Sequence, residues 1–260
     1  MKKLLPLAAA FVSLATAATA ADFPANPMPA KVAMPLPILF SWTGCYIGIE
    51  GGGASGQGEQ TAVAPTITPP PAFGGQTVTG GMTIKGGIAG GTVGCNVQIS
   101  NFVLGVENDF SWSGKKGTVN DLPPFFDPTS TSTTREKWLD TFRGRFGYAI
   151  DRFMVYGTAG VAFAGTEVQA ANPATFGVVS ESRERTGWVA GAGAEFAVFT
   201  GGWADVTLKV EYLHAGFENK QYFVNPITIG GTTIATRDVK LTDDIIRAGV
   251  NLKFNWGSAY

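Results

Sequence analysis

The feature that most constrains this chain is a regular alternation in the lengths of the connections between stretches of period-2 hydrophobicity. Eight such stretches run about Thr43–Gly53, Thr83–Gln98, Phe102–Trp112, Lys137–Ile150, Phe153–Ala164, Gly187–Phe199, Asp205–Leu213 and from Asp244 onward. In the third, Phe102, Leu104, Val106, Phe110 and Trp112 fall on one face, and Gly105, Glu107, Asp109 and Ser111 on the other. Every second connection is tiny: Ile99-Ser100-Asn101, Asp151-Arg152 and Thr200-Gly201-Gly202. The others, 54–82, 113–136, 165–186 and 214–243, are long and rich in Pro, Thr, Gly and Asn. A β-sandwich with Greek-key connections has no reason to alternate so regularly. Short turns at one end and long loops at the other suit an outer-membrane barrel. The sequence therefore predicts an all-β fold over 42–260, an eight-stranded antiparallel transmembrane β-barrel with short periplasmic turns and long extracellular loops.

Which face meets lipid follows from charge, since a charged side chain at the membrane midplane costs about 2–4 kcal/mol. Charged residues are only 15% of the chain, against about 25% in soluble domains. The faces that carry them must point inward. The inward set is Glu50, Glu107, Asp109, Glu195 and Glu211 against Arg143, Arg145, Lys209, Arg247 and Lys253. Unpaired charge in an interior is costly, so these residues are expected to form a lumen ion-pair network. Eight strands enclose only enough space for side chains, which predicts a filled barrel rather than a pore. A proton or ion path through the same residues is the alternative. A net charge of −1 argues against nucleic acid as a partner.

The flanking segments fit export. Residues 1–20 read as a signal peptide, with Met1-Lys2-Lys3, an apolar run and the Ala18-Thr19-Ala20 site; an uncleaved anchor is the alternative. Residues 21–41, with Pro24, Pro27, Pro29, Pro35 and Pro37, read as a Pro-rich periplasmic linker. Beyond residue 20 no uninterrupted apolar stretch approaches the ~18 residues of a spanning helix. Trp42, Trp112, Trp138, Trp203 and Trp256 lie near predicted strand ends, as aromatic girdles would. Phe254, Trp256 and Tyr260 form a terminal aromatic pattern, the expected assembly signal for the barrel-assembly machinery. Membrane lipid and lipopolysaccharide are the other expected partners, and no feature fixes an oligomeric state.

Several segments resemble one family. Trp42-Thr43-Gly44-Cys45-Tyr46-Ile47-Gly48 is similar to the W-T-G-F-Y-x-G opening of the alphaproteobacterial outer-membrane immunogenic proteins, the 25/31-kDa surface antigens and their rhizobial relatives. Leu104-Gly105-Val106-Glu107-Asn108-Asp109-Phe110 resembles their G-x-E-x-D-F, and Arg143-Gly144-Arg145-Phe146-Gly147-Tyr148-Ala149 their R-G-R-x-G-Y-A. Lys209–Leu213 and Arg247–Phe254 resemble the last two strand motifs. The likeness spans the leader, the arm and every strand, but not the long loops. It implies an abundant, surface-exposed OmpA-type barrel with structural and antigenic roles; some relatives have been linked to haemin. Cys45 stands where the family usually has Phe and Cys95 where it often has Tyr. Both fall on the outward parity near the periplasmic ends of neighbouring strands, as cross-strand disulfide partners or as two small lipid-facing thiols.

Catalysis and cofactors find little support. His214 is the single histidine and is expected at the outer rim near Tyr212 and Tyr222. It suits a headgroup-level residue better than a haem ligand or the base of a lipid-modifying enzyme. No triad, paired His or metal-spaced carboxylate set accompanies it, so no catalytic, cofactor or metal site is expected. The Gly-rich runs Gly51–Gly53 and Gly86–Gly91 lack the Lys and following helix of a phosphate loop. The predicted function is a structural, surface-exposed outer-membrane protein with antigenic or adhesive loops. Small-solute or haemin-linked transport and outer-leaflet lipid modification are the alternatives.

Overall fold

A computed structural model describes residues 40–63, 74–123, 126–201, 203–224, 227–229 and 232–254. The predicted signal segment, nearly all of the Pro-rich arm, Trp256 and Tyr260 lie outside the described residues. The strands are β1 (Gly44–Ala62), β2 (Thr77–Ile99), β3 (Phe102–Ser113), β4 (Lys116–Asn120), β5 (Thr131–Ile150), β6 (Phe153–Asn172), β7 (Gly177–Phe199), β8 (Ala204–Tyr222), β9 (Ile227–Ile229), β10 (Thr232–Ile234) and β11 (Arg237–Phe254).

The sheet closes on itself. Each long strand pairs antiparallel with the next, and β1 pairs with both β2 and β11. β4 continues the line of β3: Lys116 pairs across to Lys85 of β2 on one side and Arg135 of β5 on the other. The break between them falls at Gly114-Lys115, so β3 and β4 form one interrupted stave. The result, among the described residues, is an eight-staved antiparallel barrel with β9–β10 as a separate hairpin. Closure leaves no unpaired edge, which is what lipid requires of a spanning sheet.

Alternation sorts the side chains. Phe102, Leu104, Val106, Phe142, Phe146, Val210 and Ile246 are exposed on the outer wall, while Glu107, Asp109, Arg143, Arg145 and Arg247 are buried within. From Phe102 to Trp112, roughly ten residues at ~3.3 Å each and inclined by ~40°, the outward apolar face rises about 25 Å, the height of a membrane band. The tight turns match the predicted short connections. Ser100 (φ 56°) and Asp151 (φ 49°) adopt the left-handed conformation that a two-residue reversal needs.

The wall extends well past the band, and here the sequence expectation changes. The sequence marks 54–82, 113–136, 165–186 and 214–243 as loops, yet much of each is ladder. β6 and β7 stay paired up to Asn172 and Gly177, leaving only 173–176 as a turn. Thr, Gly and charged residues carry this upper ladder, where water on the outside removes the need for an apolar face and hence the period-2 signal. The β4–β5 turn is tied down there too. Asn172 donates to Asp127 and to Ser130, both at 2.9 Å. Asp127 also accepts from Thr129 N–H at 2.8 Å and from its hydroxyl, which hold its carboxyl below the usual carboxylate range.

Trp42 does not join an outer girdle. It is fully buried at the short-turn end, packed with Val103, Ala149, Met154 and Tyr156. Its indole donates to Asp151 O at 3.0 Å. It precedes β1, so strand parity does not govern it and it folds under the barrel instead. Trp112, Trp188 and Trp203 are exposed outside, and Trp138 is half-buried.

Candidate functional site

The inward positions of β11 give the order of layers from the short-turn end: Lys253, Asn251, Arg247, Ile245, Asp243, Leu241, Val239 and Arg237. β5 repeats it with Arg145, Arg143, Thr141, Leu139 and Glu136, and β8 with Lys209, Glu211 and Leu213. An aromatic plug, an ion network, an apolar layer and further polar clusters thus succeed one another up the lumen.

Two arginines organise the network. Arg143 binds Glu107 and Asp109 through one terminal nitrogen and Glu211 through the other, the last at 2.8 Å. Arg247 binds Glu50, Asp109 at 2.8 Å and Glu211 at 2.6 Å. Arg145 reaches Glu195 at 2.7 Å and Glu107 at 3.4 Å, and its guanidinium lies 3.9 Å over the Tyr156 ring. Lys209 sits 3.1 Å from Glu50 and 3.3 Å from Glu107. The Tyr46 hydroxyl donates to Glu107 at 2.6 Å and the Tyr156 hydroxyl to Glu211 at 3.1 Å. Glu195 also accepts from Asn251 at 3.0 Å and from Thr207. Charged hydrogen bonds shared among several strands make the interior rigid as well as neutralised.

The two tyrosines need room, and glycine supplies it. A Cβ on Gly94 would stand 2.4 Å from the Tyr46 hydroxyl, and one on Gly193 would stand 2.6 Å from Tyr156. Both glycines face the lumen and seat the rings that bracket Arg145.

Of the residues singled out in the sequence, the structure brings Glu50, Glu107, Asp109, Arg143, Arg145, Glu195, Lys209, Glu211 and Arg247 into one cluster. Lys253 stands apart, paired with Asp205 at 2.9 Å nearer the short turns. Cys45 and Cys95 are direct cross-strand partners on the outer wall, and the structure joins them as a disulfide. Phe254 ends β11 against Trp203, with ring centroids 5.8 Å apart.

His214 lies on the outer wall. Its Nδ1 is 2.8 Å from Asp244 Oδ1, which also accepts from the Tyr212 hydroxyl at 2.6 Å. Trp188 is beside it, with ring centroids 5.5 Å apart. Tyr222 is not a neighbour: it points inward, fully buried, under the Arg185 guanidinium.

Sequence reasoning missed a second tier of buried charge. Lys115 binds Glu136 at 2.8 Å and Asp243 at 2.6 Å within the apolar layer. Higher still, Arg237 meets Asp121 at 3.2 Å, Gln60 at 3.0 Å and Ser132. These residues lie in 54–82, 113–136 and 214–243, where no sustained period-2 run marks which side chains point inward.

A closed barrel with a largely apolar outer wall and buried, paired charges within defines an integral outer-membrane protein. No helix among the described residues is long and apolar enough to cross a membrane. The chain belongs to the outer-membrane protein β-barrel domain family, whose pattern matches residues 7–254. It is 32% identical to the 31 kDa outer-membrane immunogenic protein of Brucella melitensis biotype 1, over 98% of this chain and 100% of that one. It is 29% identical to the 25 kDa outer-membrane immunogenic protein of Brucella canis, over 98% and 99% of the two chains. A 22 kDa outer membrane protein of Rhizobium leguminosarum bv. viciae is 29% identical over 70% of this chain and 67% of its own.

Proposed function

We propose that this protein is a non-conducting, non-enzymatic barrel that holds antigenic or adhesive segments at the cell surface. The observation that carries this reading is the filled lumen. The Trp42 plug, the Arg143–Arg247 network and the apolar layer of Ile84, Leu139, Val189, Leu213 and Ile245 occupy successive levels of the same interior. A solute crossing it would have to displace buried ion pairs, several kcal/mol each when broken. Such a core suits a stiff mount for exposed segments better than a conduit. The immunogenic relatives support surface display, and the engagement of His214 by Asp244 supports a rim role.

Planar bilayers test it. Purified barrel is expected to insert without discrete conductance steps, while its heat-modifiable mobility on gels shows that it is folded. Reproducible single-channel steps from folded protein would overturn the sealed-lumen reading and favour transport.

A further inference from the structure

The strand register lines up three cations on the outer wall. Lys85 of β2 is the cross-strand partner of Lys116 of β4, and Lys116 is the partner of Arg135 of β5. All three are exposed. Like charges placed directly opposite one another weaken strand pairing. Among the described residues none of the three forms an ion pair. The acid that follows Arg135 in the row, Glu167, is held by Lys137 at 2.9 Å. Glu167 thus faces both Lys137 and its cross-strand partner Arg135, and the wall carries a net excess of positive charge. It does so within about 10 Å above the Trp112–Trp138 pair, at ~3.3 Å per residue along inclined strands. That is the level of lipid headgroups.

Below Lys85 the wall is almost bare. Gly53 and Gly87 face each other across β1 and β2, followed by Gly51 opposite Ala89; below these Gly91 stands opposite the exposed Ile49, which closes the β1 side. A side chain on Gly53 would meet nothing within 4 Å, and one on Gly87 would meet only a backbone oxygen at 3.8 Å. Trp112 and Phe110 stand beside Ala89 and Gly91 on one flank, and Ile246 stands beside Gly53 on the other. A trough with apolar walls, two strands wide at the Gly53 and Gly51 rungs and narrowed by Ile49 at the Gly91 rung, thus descends from the cations into the apolar band.

We propose that this face binds one phosphorylated lipid of the outer leaflet. Its phosphates would lie on Lys85, Lys116 and Arg135, and acyl chain would lie in the Gly53–Gly91 trough. Lipopolysaccharide, whose lipid A carries phosphates on a compact sugar above several acyl chains, has this chemistry. The proposal rests on the reading that the long-connection end faces the cell exterior.

The test uses full-length refolded protein in zwitterionic micelles, titrated with bisphosphorylated lipid A, phosphate-stripped lipid A and inorganic phosphate. A surface cation near a charged headgroup layer is worth about a fivefold change in affinity. K85Q/K116Q/R135Q is therefore expected to weaken bisphosphorylated lipid A binding roughly 100-fold. K85R/K116R should keep the affinity. G53L should lower it with every charge intact, by filling the trough, and should leave the heat-modifiable band unchanged. Wild-type affinity in the triple variant, equal binding of the phosphate-stripped lipid, or full competition by inorganic phosphate would each overturn the proposal. Orientation is scored separately: T175C in the 173–176 turn should label on intact cells, and the micelle titration is indifferent to that result.

Discussion

Replacing Arg247 by leucine is expected to destabilise the folded barrel by about 3–5 kcal/mol, the cost of breaking a buried ion cluster from one side. Arg247 joins β11 to Glu50 on β1, Asp109 on β3 and Glu211 on β8. Without it three carboxylates share the remaining cations, Arg143 and Lys209, in an interior where Arg247 is only 2% exposed. Urea titration of the barrel in micelles, followed by tryptophan fluorescence, measures the loss. Adding Glu211→Gln to the Arg247→Leu variant should recover part of it, because one uncompensated charge is removed and the two sites are coupled. Lys137→Ala is the contrasting control. Its pair with Glu167 is solvated, the lysine side chain being 53% exposed, so the change should stay within about 0.5 kcal/mol. A loss below about 1 kcal/mol for Arg247→Leu would mean that water reaches the network and neutralises it without Arg247. The sealed-lumen reading would fall with it.

How much of this was legible in the sequence depends on which physical constraint acted on each residue. Inside the membrane band two solvents lie on opposite sides of one sheet, so side chains alternate, with the outward hydrogen-bonded pair Asn108–Asp140 as an exception, and parity separates Phe142 and Phe146 from Arg143 and Arg145. Tight turns were equally visible, because Ser100-Asn101 and Asp151-Arg152 interrupt the alternation at the points where the chain must reverse. Above the band the constraint lapses. Water bathes the outer face there, Thr and Gly serve on both faces, and Lys115, Glu136, Asp121 and Arg237 sit inward without a sustained apolar alternation around them to mark the phase. The bulge at Lys137, between the Glu136 and Trp138 pairings, shifts the register of β5 as well. Partner choice was less legible than direction. Lys253 faces inward as its parity requires, but Asp205 across the β8–β11 ladder claims it. Trp42 went astray for a different reason. A residue outside the ladder has no face, and its position follows from the plug it completes with Asp151 and Met154.

Removing the Cys45–Cys95 link, by Cys45→Ala/Cys95→Ala or by reductant, is expected to lower stability by up to about 4 kcal/mol. The two residues are direct partners in the β1–β2 ladder and lie 50 positions apart in sequence, so the bridge closes a long loop and restricts the unfolded chain accordingly. In the folded barrel it adds little: the backbone ladder already pairs β1 with β2, and neither side chain fills the interior. The effect should therefore appear in the kinetics in a particular way. The unlinked barrel should refold more slowly into micelles, because β1 must find β2 as well as β11 before the ring closes, and its unfolding rate should hardly change. Its circular dichroism and heat-modifiable mobility should match those of the linked protein. Faster unfolding at an unchanged refolding rate would place the contribution in native contacts instead. Identical urea midpoints with and without reductant would mean that the two cysteines do not restrain the chain at all, and the β1–β2 pairing would then rest on its ladder alone.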